Sequence, residues 1–144
     1  MKKYIWGIFS IASFMACNVR RSDKVVNDTV KQAEIALQDT TQVQLIDSLH
    51  NFGTVKEGEK VSYNFRFKNA GKKPLVVISA SASCGCTIPE KPERPILPGD
   101  TGFIKVVFNS AGKIGHNQKN ITVKANTNPD FPILVLTGEV KEAK

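Results

Sequence analysis

Apolar and polar residues alternate along much of this chain, most clearly over residues 61–68. One side of that segment would carry Val61, Tyr63, Phe65 and Phe67, and the other side Ser62, Asn64, Arg66 and Lys68. A period of two is typical of a β-strand with one buried face and one solvated face. We therefore predict a strand here, with its aromatic side chains in the core.

Similar short segments follow, separated by residues that favour turns. They are a continuous apolar run at 75–79, which favours a more buried strand, alternating segments at 104–108 and 121–125, a last strand at 133–140, a first one at 43–49, and a short piece near Val55. Glycine and proline at 70–74 and 97–100 predict turns. Because sheets with one apolar face pack on each other, residues 43–141 are predicted to form an all-β, immunoglobulin-like antiparallel β-sandwich of about seven strands.

The N-terminal segment has a different pattern, typical of export. Lys2 and Lys3 precede an apolar stretch at residues 4–16, which is too short to span a bilayer but fits a secretory signal. The stretch ends in Phe-Met-Ala-Cys, which resembles a bacterial lipobox. We predict that residues 1–17 are a lipoprotein signal peptide, that Cys17 is lipidated, and that its acyl chains anchor the protein in a lipid bilayer.

Residues 18–42 lack aromatic side chains and are rich in polar ones. Valine, alanine and leucine recur there at roughly helical spacing, which predicts a weak amphipathic helix in part of the segment. We interpret it as a polar tether. The formal net charge is +7, or +5 without Lys2 and Lys3, and the basic residues are dispersed among apolar ones. This dispersal argues against nucleic-acid binding, since it forms no basic stripe.

Two of the three cysteines, Cys84 and Cys86, are separated only by Gly85. A disulfide between them needs a bend at Gly85, because residues two apart in a strand lie about 6.5 Å apart. Closing so short a loop stabilises the fold by only about 1.6 kcal/mol on the chain-entropy model. A packing role, a local disulfide, a metal site and a thiol oxidoreductase all remain open, and we favour a structural role. The metal alternative is a Cu(I) or Zn(II) site formed by Cys84, Cys86 and His116.

Several short motifs resemble one bacterial family. They are Phe-Gly-Thr-Val-Lys-Glu-Gly-Glu at 52–59, Phe-Arg-Phe-Lys-Asn-Ala-Gly at 65–71, Pro-Leu at 74–75, Ser-Cys-Gly-Cys-Thr at 83–87, Pro-Gly-Asp at 98–100 and Gly-Glu-Val at 138–140. In this order they resemble the family known as domain of unknown function 1573, which is common among Bacteroidetes lipoproteins. The resemblance implies an immunoglobulin-like fold related to ciliary and centrosomal docking modules, and export to the envelope. It implies no established activity and transfers no site residue.

Three short motifs match the Asp-Ser/Thr-apolar pattern that some Bacteroidetes glycosylate in the periplasm. The candidate acceptors are Thr29, Thr40 and Ser48. No acidic residue follows Cys17 directly, which favours an anchor that faces the periplasm. Taken together, the sequence predicts a lipid-anchored, non-enzymatic envelope protein without a cofactor, which binds an unidentified envelope protein. The rival interpretation is a periplasmic Cu(I)/Zn(II)-binding or thiol-redox protein that uses Cys84 and Cys86.

Overall fold

A computed structural model describes residues 39–143, which form eight β-strands and no helix. The strands are β1 (Val43–Leu45), β2 (Leu49–Lys56), β3 (Lys60–Asn69), β4 (Val77–Ala82), β5 (Thr87–Glu90), β6 (Thr101–Asn109), β7 (Gly115–Ala125) and β8 (Leu134–Lys141). They form two four-stranded sheets, in the orders β1-β3-β6-β5 and β2-β8-β7-β4. Within the described range there is no helix long and apolar enough to cross a membrane.

The predicted alternation along β3 is confirmed. Phe65 and Phe67 are 0% and 1% exposed, and Val61 and Tyr63 are partly buried against the same core. The intervening polar side chains are exposed. Burying a phenylalanine contributes roughly 1.5–3 kcal/mol, so β3 is a major source of stability. Ile104, Val106 and Phe108 of β6 and Ile121 and Val123 of β7 complete the centre of the core.

The sandwich is confirmed, with two differences from the prediction: there are eight strands, and β2 pairs in parallel with β8. The segment 43–49, predicted as one strand, is divided between the two sheets. At the division, the backbone N–H groups of Ile46 and Asp47 both donate to the carbonyl of Arg66. The guanidinium of Arg66 also donates to both carboxylate oxygens of Asp47, at 2.7 and 3.0 Å. This ion pair holds the point where the chain leaves one sheet for the other.

The apolar run at 75–79 is only partly buried. Leu75 and Val77 are 0% and 4% exposed, whereas Ile78 is 47% exposed. The reason is that β4 lies at the edge of its sheet and has a register irregularity between Val77 and Ser79. The apolar pattern therefore identified a strand but not its place in the sheet.

Residues 39–42, assigned above to the tether, contact the sandwich. Thr41 is buried and donates a hydrogen bond to Asn69, and the carbonyl of Asp39 accepts one from the side chain of Asn126. The described part of the chain therefore joins the fold at Asp39. The predicted signal peptide, the lipidated Cys17, the candidate acceptor Thr29 and the rest of the tether lie outside the described residues.

The strands run between two ends of the sandwich. The tether end comprises residues 39–42 and the loops at 70–76 and 126–133, and the distal end comprises the loops at 57–59, 83–86 and 110–114. The ten residues of β3 separate the two ends, which at about 3.3 Å per residue corresponds to roughly 30 Å. The cysteine pair is thus at the end farthest from where the tether enters.

Candidate functional site

Three of the four edge strands have features that hinder pairing with another strand. β1 has only three residues, and β5 contains Pro89, which has no N–H to donate. β2 is interrupted by a register shift between Asn51 and Thr54 and by Gly53, whose φ is 72°. Short strands, prolines and bulges are the usual protection of a sheet edge.

The fourth edge strand, β4, lacks this protection over most of its length. Its sequence, Val-Ile-Ser-Ala-Ser-Ala, contains neither a charged residue nor a proline. Ser79 and Ser81 pair with Lys124 and Thr122 of β7. Because hydrogen-bonded and non-bonded pairs alternate in an antiparallel ladder, the backbone N–H and C=O groups of Ala80 point to the free side. β4 therefore presents an open, uncharged edge.

The loop between β4 and β5 contains a disulfide. The sulfur atoms of Cys84 and Cys86 are 2.02 Å apart and their Cα atoms 5.3 Å apart. The backbone holds this loop to both sheets: Ser83 N–H donates to the carbonyl of Asn120, at 3.1 Å, and Asn109 N–H donates to the carbonyl of Cys86, at 2.9 Å. The bridge thus lies where the chain crosses from one sheet to the other.

A small cavity lies beside this loop on the outer surface. Its volume is about 230 Å³, and Gly85 and Cys86 form one wall while Ile88 and Val107 supply apolar surface. Ile88 and Val107 are directly paired across β5 and β6. Sequence reasoning missed this cavity and the open β4 edge, because both depend on which strands become neighbours.

The structure does not assemble the candidate copper or zinc site. His116 lies on β7, four residues before Asn120, whose carbonyl accepts a hydrogen bond from Ser83 N–H. Along the strand, His116 is therefore roughly 13 Å from Asn120. Its imidazole is near the carboxylate of Glu139, at 3.9 Å. Within residues 39–143 no group of three or more His, Cys, Asp and Glu side chains is placed to hold a metal ion.

Two candidate glycosylation acceptors fall within the described residues, and both are exposed. Thr40 precedes β1, and Ser48 lies directly before β2. The aspartate before Ser48 is Asp47, and its carboxylate is bound by Arg66. A transferase that reads the aspartate side chain would therefore meet it already paired in the folded domain.

Similar solved structures share the fold. A protein of unknown function from Porphyromonas gingivalis W83 matches with a TM-score of 0.62 and 16% identity over 70% of this chain, which spans 47% of that protein. The ASH/PapD-like domain 7 of human CEP192 matches with a TM-score of 0.54 and 14% identity, covering 73% of this chain and 89% of that domain. The secreted serine protease VesC of Vibrio cholerae has a TM-score of 0.53 and 11% identity over 83% of this chain and 26% of the protease.

At these identities the likeness shows the immunoglobulin-like sandwich fold alone. No curated protein matches this chain in sequence. A profile of the family described as "Protein of unknown function (DUF1573)" matches residues 43–140, which includes nearly all of the eight strands. The resemblance that the short motifs indicated is thereby confirmed, and the chain belongs to the DUF1573 family.

Proposed function

We propose that this chain is a lipid-anchored, non-enzymatic module of the bacterial envelope that binds another envelope protein through the edge of β4. The observation that carries this proposal is the open edge of that strand, uncharged and free of proline. The partner that fits such an edge is a protein with an extended segment, which adds a strand to the sheet.

The edge can supply this binding without a deep pocket. Each backbone hydrogen bond to an added strand contributes about 0.5–1.5 kcal/mol net, so a few of them give modest affinity. Ser79 and Ser81, which face outward from β4, are small, and a partner strand meets no bulky side chain there. Ile78, exposed at the start of the strand, adds an apolar contact.

The proposed lipid anchor determines where in the envelope the β4 edge is available for binding. Cys17 precedes Asp39 by 22 positions, so a fully extended connection between them could be no longer than about 75 Å. Acylation at Cys17 would then hold the domain near the bilayer on its periplasmic side, within reach of envelope proteins. Intact mass of the mature protein tests this part, since lipidation adds the mass of the acyl chains to a chain that begins at Cys17.

Photocrosslinking in living cells tests the binding edge. A photoreactive residue replaces Ile78, and we expect one reproducible crosslinked protein. Adding charge with Ser79→Lys and Ser81→Lys should abolish that product, because lysine on an edge strand opposes pairing.

The matched control places the same charges on a central strand. Ser62→Lys and Asn64→Lys alter exposed, outward positions of β3 and should leave the crosslink unchanged. A crosslink that survives charge on β4, or that charge on β3 also removes, would refute binding at this edge. Absence of any reproducible product would refute the proposal as a whole.

A further inference from the structure

The Cys84–Cys86 bridge contributes little to holding its own loop. Backbone hydrogen bonds already join Ser83 to β7 and Cys86 to β6, and a further one runs from Thr87 N–H to the carbonyl of Cys84, at 3.3 Å. A loop of three residues has little conformational entropy to lose, so its closure stabilises the fold only weakly. The bridge is therefore free to open without separating the two strands.

The outer surface beside the bridge is open, while Cys86 itself is partly buried and also packs against the core. Gly85 is exposed, and a Cβ atom added to it would have no neighbour within 4 Å. The cavity of about 230 Å³ opens against Gly85 and Cys86. Its apolar wall includes Ile88, which is 62% exposed. Open space beside the loop together with an exposed apolar wall suits a polypeptide side chain better than a small hydrophilic thiol.

The hydroxyl of Thr87 lies beside the bridge, near both sulfur atoms. Its Oγ1 is 3.6 Å from Sγ of Cys84 and 3.9 Å from Sγ of Cys86, and the residue is only 4% exposed. A threonine hydroxyl rotates to suit its partner, so it can donate to whichever sulfur carries negative charge. Hydrogen bonds to a charged acceptor are roughly twice as strong as neutral ones.

A cation lies in the same part of the sandwich. The ammonium of Lys119 is 5.5 Å from the ring centre of Phe108, which is the direct partner of Thr87 across β5 and β6. Burial lowers the pKa of Lys119, and the charge of Lys113 lowers it further. None of the ion pairs among residues 39–143 involves Lys119. Positive charge near a cysteine favours its thiolate, so Lys119 is the cation whose effect on the loop can be tested.

We propose that Cys84–Cys86 is a transferable disulfide, which oxidises a pair of cysteine thiols in a polypeptide that docks in the adjacent cavity. This goes beyond binding at the β4 edge and does not depend on it. Each chain carries one such bridge, so the transfer is stoichiometric.

The reaction proceeds by two exchanges. A substrate thiolate attacks Sγ of Cys86, which lines the cavity; the bond between the cysteines breaks, and its electron pair leaves on Sγ of Cys84. That sulfur accepts the hydrogen bond of Thr87 and takes up a proton. The second substrate thiolate then attacks the substrate sulfur of the mixed disulfide and expels Cys86, which is protonated in turn. Two electrons and two protons pass to the loop, and the substrate gains one disulfide.

The first experiment measures transfer to a synthetic peptide. The full chain carries Cys17→Ser, which leaves Cys84 and Cys86 as the only cysteines. It is mixed with a reduced peptide that contains two cysteines and one leucine, with the same peptide carrying serine for leucine, and with dithiothreitol. Mass spectrometry follows the gain of two hydrogens by the protein and their loss by the peptide.

We expect the leucine peptide to react about tenfold faster than the serine peptide, since one buried leucine supplies at least that factor. Ile88→Ser should remove this difference, whereas Ile133→Ser, at an exposed isoleucine of the tether end, should not. Equal rates for the two peptides would overturn the docking part of the proposal. Failure of the peptide to acquire a disulfide would overturn all of it, while leaving the β4 edge proposal standing.

Variants of Thr87 test the role of its hydroxyl. Thr87→Val should slow transfer about tenfold, which is the worth of one hydrogen bond to a charged group, and Thr87→Ser should restore the rate. Circular dichroism checks that each variant is folded. If all three chains react at one rate, the hydroxyl has no part in the reaction.

Variants on β7 test whether the charge of Lys119 affects the transfer, and trapping of a mixed disulfide identifies which sulfur is attacked. Lys119→Met should slow transfer, whereas Lys124→Met, an exposed change on the same strand, should not. With a peptide whose single cysteine is activated as a 2-thiopyridyl disulfide, Cys84→Ser should accumulate a mixed disulfide on Cys86, because neither the peptide nor the chain then has a second thiol that could release it. Stronger trapping by Cys86→Ser would reverse the assignment of the attacked sulfur and overturn the mechanism as written.

Discussion

The side chain of Asn69 makes four hydrogen bonds in the interior and offers the sharpest test of how the tether end is held together. Its Oδ1 accepts from Thr41 Oγ1, at 2.9 Å, and from Gly71 N–H, at 3.1 Å. Its Nδ2 donates to the carbonyls of Lys73, at 2.7 Å, and Ile96, at 2.8 Å. The residue is 0% exposed, so these bonds satisfy the amide completely without solvent.

Asn69→Ala removes all four bonds and leaves their partners unpaired. At about 1 kcal/mol net for each bond, the free energy of unfolding should fall by about 4 kcal/mol. That is a large part of the 5–15 kcal/mol typical of a domain. The slope of the unfolding free energy against urea should not change, because the same surface is exposed on unfolding.

Asn69→Asp distinguishes hydrogen bonding from packing. It keeps the shape of the side chain but places an oxygen against the carbonyls of Lys73 and Ile96. Folding then disfavours the charged form, so the new carboxyl has its pKa raised in the native state. A raised pKa of this kind means that the variant is least stable at neutral pH and recovers stability as the pH falls toward about 4.

Urea titrations followed by circular dichroism at several pH values measure both effects. Asn64→Ala, an exposed change on the same strand, is the control and should alter stability by less than about 0.5 kcal/mol. A loss below about 1 kcal/mol for Asn69→Ala, or an Asn69→Asp variant with no recovery in acid, would refute the reasoning.

Three further predictions follow from the packing and the charges. Gly138→Ala should lower the free energy of unfolding by about 1–3 kcal/mol, because the new Cβ would collide with the ring of Phe52. This loss should be smaller in a Phe52→Leu background, and an unchanged urea midpoint for Gly138→Ala would contradict the prediction. Phe65→Ala should lower the free energy of unfolding by about 3–5 kcal/mol, measured by urea titration. A loss under half of that would mean that the core can collapse around the vacated site. The guanidinium of Arg66 is the main cause that lowers the pKa of Asp47. The stabilisation by this ion pair is therefore present above about pH 4 and is lost as the pH falls through the lowered native pKa. Asp47→Asn should flatten the acid side of the plot of stability against pH, and parallel plots for the variant and the wild type would exclude Asp47 as the source of the acid loss.

Much of the fold could be predicted because it depends on local pattern. The alternation around Phe65 and Phe67 identified a strand and its buried face, since a pleated strand directs every second side chain to one side. Ile78 shows where such reasoning fails. Its apolar neighbours favoured a buried strand, but exposure depends on which strand becomes an edge, and sheet order is set by contacts distant in sequence.

The candidate sites follow the same division. Gly85 between two cysteines indicated that a bend and a bridge were feasible. The position of Thr87 beside both sulfurs, and that of Lys119 above Phe108, arise from strand register and cannot be predicted from spacing in the sequence. The candidate third metal ligand also depended on contacts distant in sequence: His116 lies near Glu139, and no group of three possible metal ligands forms among residues 39–143.

The parallel pairing of β2 with β8 has a consequence for how the protein is made. Leu49 of β2 pairs with Val135 of β8, which lies 86 positions later in the chain. β2 therefore cannot pair before β8 has been synthesised. Until then β2 has no neighbour in its own sheet, and completion of that sheet depends on β8, the last of the described strands. Such distant pairings are slow to form, so loss of β8 would separate β2 from the β7–β4 pair and leave the newly made polypeptide with an unpaired strand exposed to proteases.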